Sequence, residues 1–203
     1  YQTALNLFQT NNNEGKAPVR PKAHLYTCTK CNGSGLISSL NFPEPDNKNL
    51  PHIAIIGAGI GGTALAVACL HRGIPFTLFE RDADFEARSQ GYGLTLQQAS
   101  KAIEGLGIFS LDEKVISTRH LVHTTEGKVI GEWGIRKWLQ SNAKTTSKRT
   151  NMHIARQSLR LSLLEQLGGH DKVQWGHQLI DFNQNDKNID LNFQVNGETK
   201  TYK

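Results

Sequence analysis

No stretch of this 203-residue chain stays apolar for the roughly 20 residues that a helix needs to cross a bilayer, and no signal peptide with a cleavage site is visible. Cysteine is scarce. Cys28, Cys31 and Cys69 do not make an extracellular disulfide framework, which points to a reducing, cytoplasmic setting. A basic stripe interleaved with aromatic residues is also missing. The net charge of +5 and pI near 9.2 come from scattered Lys and Arg, so nucleic acid is not an expected partner. Internal repeats of solenoid length are absent as well. The chain begins on Tyr1 rather than on methionine and stops at Lys203 directly after a strand-like segment, so it is expected to be part of a longer protein.

What is present is a dense nucleotide-binding pattern. Ile53 to Ile56 form a short apolar run suited to a buried parallel strand, and Gly57-Ala58-Gly59-Ile60-Gly61-Gly62 follows at once, opening a helix of small residues. The three glycines of the Gly-x-Gly-x-x-Gly pattern have separate duties: Gly57 the tight turn, Gly59 close approach of a pyrophosphate, and Gly62 close packing of helix on strand. Phosphates would sit on free N–H groups at the positive end of that helix. After Gly73-Ile74-Pro75, a second strand from Phe76 to Phe79 ends on Glu80, a carboxylate placed to accept hydrogen bonds from an adenosine ribose. Its charge disfavours a 2′-phosphate and leaves FAD or NAD as the candidates.

The flanking segments read as follows. Residues 1–21 are polar and offer little to bury, so a mobile leader is expected; residues 41–51 carry three prolines among polar residues and read as a linker. This gives a flexible leader over 1–50 and a globular domain over 51–203. Leu94 to Leu96 should be extended, and residues 98–107 form a short helix with Ala99, Ala102, Ile103 and Leu106 on its apolar face. The sequence around Thr125-Glu126-Gly127-Lys128 predicts a β-hairpin, and the polar, basic run 137–149 an exposed connection. From Ile154 to Leu167 leucines recur at 159, 163 and 167, predicting a helix stopped by Gly168-Gly169. Arg156 sits at its start, where a positive charge opposes the helix dipole and invites an anionic partner. Strands follow over 173–182, 189–195 and 198–203, with Asn196-Gly197 as a two-residue hairpin turn. Cys69 reads as a small core residue.

Cys28-Thr29-Lys30-Cys31-Asn32-Gly33-Ser34-Gly35 stands apart. Two cysteines spaced by two residues and followed by glycines can turn two thiolates toward one metal ion, and the segment resembles a single copy of the Cys-x-x-Cys-x-Gly-x-Gly repeat of DnaJ-type zinc-binding domains. It supplies half of the four ligands such a site needs, with His24 or a second copy of the chain as ways to complete it. No residue is assigned as a metal ligand. The other reading is a flexible turn carrying two reduced thiols.

Three motifs in order, the glycine loop, Phe79-Glu80-Arg81-Asp82 with Glu86-Ala87-Arg88 and Gly91 close behind, and Ala155-Arg156-Gln157-Ser158-Leu159-Arg160, resemble the FAD-dependent aromatic hydroxylase family, the class A flavoprotein monooxygenases, and within it the tetracycline-inactivating type. The resemblance covers residues 51–203. It implies an α/β fold: a Rossmann-like βαβ FAD-binding domain of glutathione-reductase type, with an inserted β-hairpin and a terminal β-meander, ending before the substrate domain is complete. By position, Gly57, Ala58, Gly59, Ile60, Gly61 and Gly62 would hold the FAD pyrophosphate, Glu80 the ribose, and Arg81 would lie at the adenine end. Arg156 would reach the flavin phosphate or ribitol region. The implied activity is hydroxylation of a small organic substrate, aromatic or polyketide-like, with NAD(P)H and oxygen through a flavin C4a-hydroperoxide. The second flavin motif and most of the substrate sheet lie outside the sequence, so no catalytic residue is assigned and this stretch alone is not expected to turn over. Isolated histidines such as His120, His123, His153 and His177 are expected to be structural or exposed. The competing expectations are an NAD-dependent dehydrogenase, and a zinc-knuckle interaction module on a degenerate nucleotide-binding fold.

Overall fold

A computed structural model of the chain describes residues 2–20, 28–31, 33–88, 91–97, 99–116, 120–133, 151–186 and 188–203. The described residues fall into two units, Tyr1–Ile37 and Ser38–Lys203. The basic run 137–149 and His24 lie outside the described residues.

In the first unit, α1 (Gln2–Thr10) is helical where the sequence reads as a structureless leader. Ala4, Leu5, Leu7 and Phe8 favour helix locally, and Asn12 and Asn13, both at positive φ, end it.

The second unit is built around a parallel sheet. The strands β1 (Ile53–Ile56) and β2 (Phe76–Phe79) run parallel in register Ile53 to Phe76 through Ile56 to Phe79, joined by α2 (Ile60–Leu70). Both strands fall on the apolar runs that predict them. Glycine at position 73, with φ +63°, and Pro75 end the helix and start the return strand. The polar stretch read as a linker belongs to this unit: the Asp46 N–H donates to the Gly73 carbonyl at 2.8 Å.

Next come β3 (Gly93–Leu96), α3 (Ala99–Gly105), β4 (Val115–Ile116), the hairpin strands β5 (His120–His123) and β6 (Val129–Trp133), and β7 (Met152–Ala155). The helix expected from Ile154 therefore begins two residues later, at Arg156. Met152–Ala155 is held extended because it is the central strand of a three-stranded antiparallel sheet, Leu94 opposite Ile154 on one side and Val115 opposite His153 on the other. That pairing outweighs the helical period of the residues after it.

The fourth helix, α4 (Arg156–Leu167), buries Leu159, Leu163, Leu164 and Leu167, and it packs on α2 through Ala66 and Val67. Each leucine contributes about 1.5–3 kcal/mol by leaving water. Gly168 and Gly169 stop the helix at φ +98° and +104°, their N–H groups donating to the carbonyls of Glu165 and Leu164. The chain then enters β8 (Val173–Gln174), which adds to β2 in parallel, and turns at Gly176.

An antiparallel meander closes the sequence: β9 (Gln178–Gln184), β10 (Ile189–Val195) and β11 (Glu198–Tyr202). Asn196 (φ 51°) and Gly197 (φ 85°) form the two-residue turn that the sequence signals. Phe79, at the end of β2, stacks on Phe193 at 4.4 Å and meets the Tyr202 ring edge-on, which anchors the meander beside the parallel sheet. Among the described residues no helix is long and apolar enough to cross a membrane.

Candidate functional site

A cleft of about 400 Å³ opens over the end of the parallel sheet. Three segments that the sequence singles out meet there: the glycine loop, the Glu80-Arg81-Asp82 end of β2, and the first turn of α4.

The glycine loop shows why glycine is needed at positions 57 and 62. Gly57 has φ +98°, and its N–H donates to the Phe79 carbonyl at 2.7 Å, tying the turn to β2. A Cβ on Gly62 would lie 1.9 Å from the Gly57 carbonyl oxygen, so only glycine lets α2 start this close to the strand. For Gly59, among the described residues, the only atom within reach of an added Cβ is Arg156 Nη2, at 3.9 Å. No side chain caps α2, whose first-turn N–H groups have no partners within the helix.

The Glu80 side chain is nearly buried and bonded to its own surroundings. One carboxylate oxygen accepts the Ala58 N–H at 2.8 Å, and the other accepts the Asp82 N–H at 3.1 Å. A carboxylate offers about four lone-pair positions, so two of them remain for a ligand. Arg81 is exposed at the rim, and Arg88 pairs with Asp82 at 2.9 Å.

Arg156 takes the first position of α4. Its N–H donates to the Tyr92 carbonyl at 3.1 Å, and its guanidinium lies over the Tyr92 ring. One turn later comes Arg160, to which the sequence assigned no role. It is 6% exposed, donates from Nε to the Ala58 carbonyl at 2.7 Å and from a terminal nitrogen to the Phe85 carbonyl at 3.3 Å, and lies over the rings of Phe85 and Trp175. Burial pulls its pKa down, opposed by the carboxylates of Glu80 and Asp82. The signal for it was in the sequence: an arginine inside the leucine stripe, on the same helix face as Arg156. The Ala58 peptide is thus held at both ends, its N–H by Glu80 and its carbonyl by Arg160.

His177 also lines the cleft, but both ring nitrogens are engaged. Nδ1 donates to the Trp175 carbonyl at 2.8 Å, and in this tautomer Nε2 accepts the Tyr202 hydroxyl at 2.8 Å. His120 stacks on Trp133, while His123 and His153 bond the Gly127 carbonyl and the Thr95 hydroxyl, all away from the cleft. Four arginines, at 81, 88, 156 and 160, face two carboxylates, Glu80 and Asp82, which leaves the cleft with a surplus of two positive charges. Such a lining suits a doubly charged, elongated anion.

No family model matches the chain. It is 52% identical over 46 residues to a protein of Arthroderma benhamiae named as an FAD-dependent monooxygenase, a match covering 23% of this chain and 11% of that protein. A second FAD-dependent monooxygenase, from Trichoderma harzianum, is 47% identical over 45 residues, 22% of this chain and 11% of that protein. The matched segments thus span only about a tenth of these curated relatives. Among solved structures, 2,6-dihydroxypyridine-3-hydroxylase from Arthrobacter nicotinovorans superposes with a TM-score of 0.57 at 18% identity, over 74% of this chain and 34% of that one. The tetracycline destructase Tet(51) superposes with a TM-score of 0.51 at 20% identity, over 75% of this chain and 37% of that one. The resemblance read from the three motifs is borne out: the chain is similar in sequence to proteins named FAD-dependent monooxygenases, and its mixed α/β fold matches part of an aromatic hydroxylase structure and part of a tetracycline destructase structure.

Proposed function

We propose that residues 51–203 are the FAD-binding part of an FAD-dependent monooxygenase, an oxidoreductase that hydroxylates a small organic substrate with NAD(P)H and oxygen. The observation that carries this is the convergence of the bare glycine loop, the Glu80 carboxylate and an excess of two positive charges in one cleft. When bound, FAD would supply the redox chemistry and the oxygen activation. The chain's own residues bind and orient it. The Gly57 to Gly62 loop and the first-turn N–H groups of α2 receive the pyrophosphate, with no side chain at Gly59 to intervene. Glu80 accepts ribose hydroxyls on its two remaining lone-pair positions, and Arg81 lies at the adenine end. Arg156 reaches the phosphate or ribitol region, which provides the anionic partner that its place at a helix start calls for. The substrate is aromatic or polyketide-like in this reading, and an NAD-dependent dehydrogenase gains no support from the meander that follows β8.

The test is a fluorescence titration of FAD with the purified chain, with and without excess NAD, repeated on Arg156→Ala. Saturable quenching that NAD leaves unchanged is expected. Loss of one charge-assisted contact, about 1.5–3 kcal/mol, should weaken FAD binding roughly ten- to a hundredfold in the variant. Quenching abolished by NAD, or an Arg156→Ala variant that binds FAD as tightly as the parent, would overturn the proposal.

A further inference from the structure

The Cys28/Cys31 turn takes no part in the cleft chemistry. Among the described residues no group of three or more His, Cys, Asp and Glu side chains could hold a metal ion. The Cys28 side chain is exposed and Cys31 half-buried, within a turn running through Thr29, Lys30 and Cys31. Ser34 fixes the far side of the turn, its N–H and hydroxyl both donating to the Cys31 carbonyl, at 2.9 and 2.6 Å. The two cysteines are therefore held on one turn with unequal access to solvent.

We propose that Cys28 and Cys31 form a thiol–disulfide exchange site, with Cys28 as the attacking sulfur and Cys31 as the resolving one, acting on a low-molecular-weight or protein disulfide. The Cys28 thiolate attacks one sulfur of R–S–S–R, a Cys28–S–S–R bond forms, and R–S⁻ leaves. Cys31 then gives its proton to solvent and attacks the Cys28 sulfur. The second R–S⁻ leaves, and the Cys28–Cys31 disulfide remains. Two protein thiols have been oxidised and one disulfide reduced to two thiols. The hydrogen-bond donors around Cys28 lower its thiol pKa, with the Cys31 N–H the largest cause, and so raise the thiolate fraction that does the attacking. Buried Cys69 provides an internal standard in the same chain: burial pushes its thiol up, and it is shielded from reagent.

The experiment equilibrates the full chain with glutathione buffers of graded ratio, quenches with acid, and maps disulfides by peptide mass spectrometry. A Cys28–Cys31 disulfide that forms reversibly while Cys69 stays reduced is expected. With oxidised glutathione, Cys31→Ser should accumulate a stable glutathione adduct on Cys28. The corresponding adduct on Cys31 in Cys28→Ser should form at least about tenfold more slowly, because that sulfur is less exposed. Circular dichroism of both variants checks that the fold is retained. Equal adduct rates in the two variants, no Cys28–Cys31 disulfide at any ratio, or a stoichiometric zinc ion that shields both thiols would each overturn the proposal. None of these outcomes depends on whether the cleft binds FAD.

Discussion

Gly61 and Gly62 are neighbours on the same helix, yet replacing each with alanine should move stability in opposite directions. An added Cβ on Gly62 would stand 1.9 Å from the Gly57 carbonyl oxygen, 3.1 Å from its carbon and 3.4 Å from Ile55 Cγ2. A carbon normally approaches a carbonyl oxygen no closer than about 3.3 Å, so one of the two must retreat by about 1.4 Å. The obstacle is backbone that cannot swing aside, because the Gly57 N–H is bonded to Phe79 and its φ is +98°. Overpacking costs about 1–3 kcal/mol, and a rigid obstacle puts this site at the upper end. The better helix propensity of alanine returns about 1 kcal/mol, leaving a net loss of about 2 kcal/mol. At Gly61 a Cβ meets nothing within 4 Å among the described residues and φ is ordinary, so only the propensity gain remains, about 0.5–1 kcal/mol. With a urea slope of about 2 kcal/mol per molar, Gly62→Ala should lower the unfolding midpoint by about 1 M, and Gly61→Ala should raise it by about 0.3–0.5 M. Equal midpoints for the two variants, or a Gly62→Ala variant within about 0.2 M of the parent, would refute the close-packing account of the loop.

Arg160→Met removes two charge-assisted donors from Ala58 and Phe85 while the Thr63 hydroxyl still serves the Ala58 carbonyl. A loss of about 2 kcal/mol in urea unfolding is expected; unchanged stability would mean that the buried guanidinium only balances its own desolvation. His71 gives a pH effect of defined sign. Burial, and then the Arg72 charge, hold its imidazolium pKa below the ordinary value, and its buried Nδ1 has no partner among the described residues. The unfolded chain therefore takes up this proton first as pH falls, and stability declines as pH drops from about 6.5 toward the lower folded-state value. His71→Leu should show a smaller drop in melting temperature between about pH 7.5 and 5.5 than the parent, and an identical drop would discard the assignment.

The parts of the fold legible in the sequence are those fixed by neighbours in the chain. Ile53–Ile56 and Phe76–Phe79 are apolar runs bounded by glycine and proline, and they are strands as read. Asn196-Gly197 and Gly168-Gly169 need positive φ and have it. What could not be read depends on partners far along the chain. Met152–Ala155 is extended because Gly93–Leu96 pairs with it, and nothing within its own four residues says so. In the site, Glu80 and Arg156 were legible because a strand end and a helix start are local events. The role of Arg160 was not, since its acceptors lie 102 and 75 positions earlier in the chain. Likewise, the spacing from glycine loop to acidic residue implies a ligand for Glu80 but not that the carboxylate first bonds its own loop.

The doubly held Ala58 peptide has a kinetic consequence. Arg160 bonds residues 58 and 85 at once, so the glycine loop and the segment after Glu80-Arg81-Asp82 are tied by one side chain. A dinucleotide bound as proposed would find this tie already made, so less ordering entropy would be lost on association. Stopped-flow binding should show one exponential phase whose rate rises linearly with ligand concentration, without the plateau that a preceding or following isomerisation imposes.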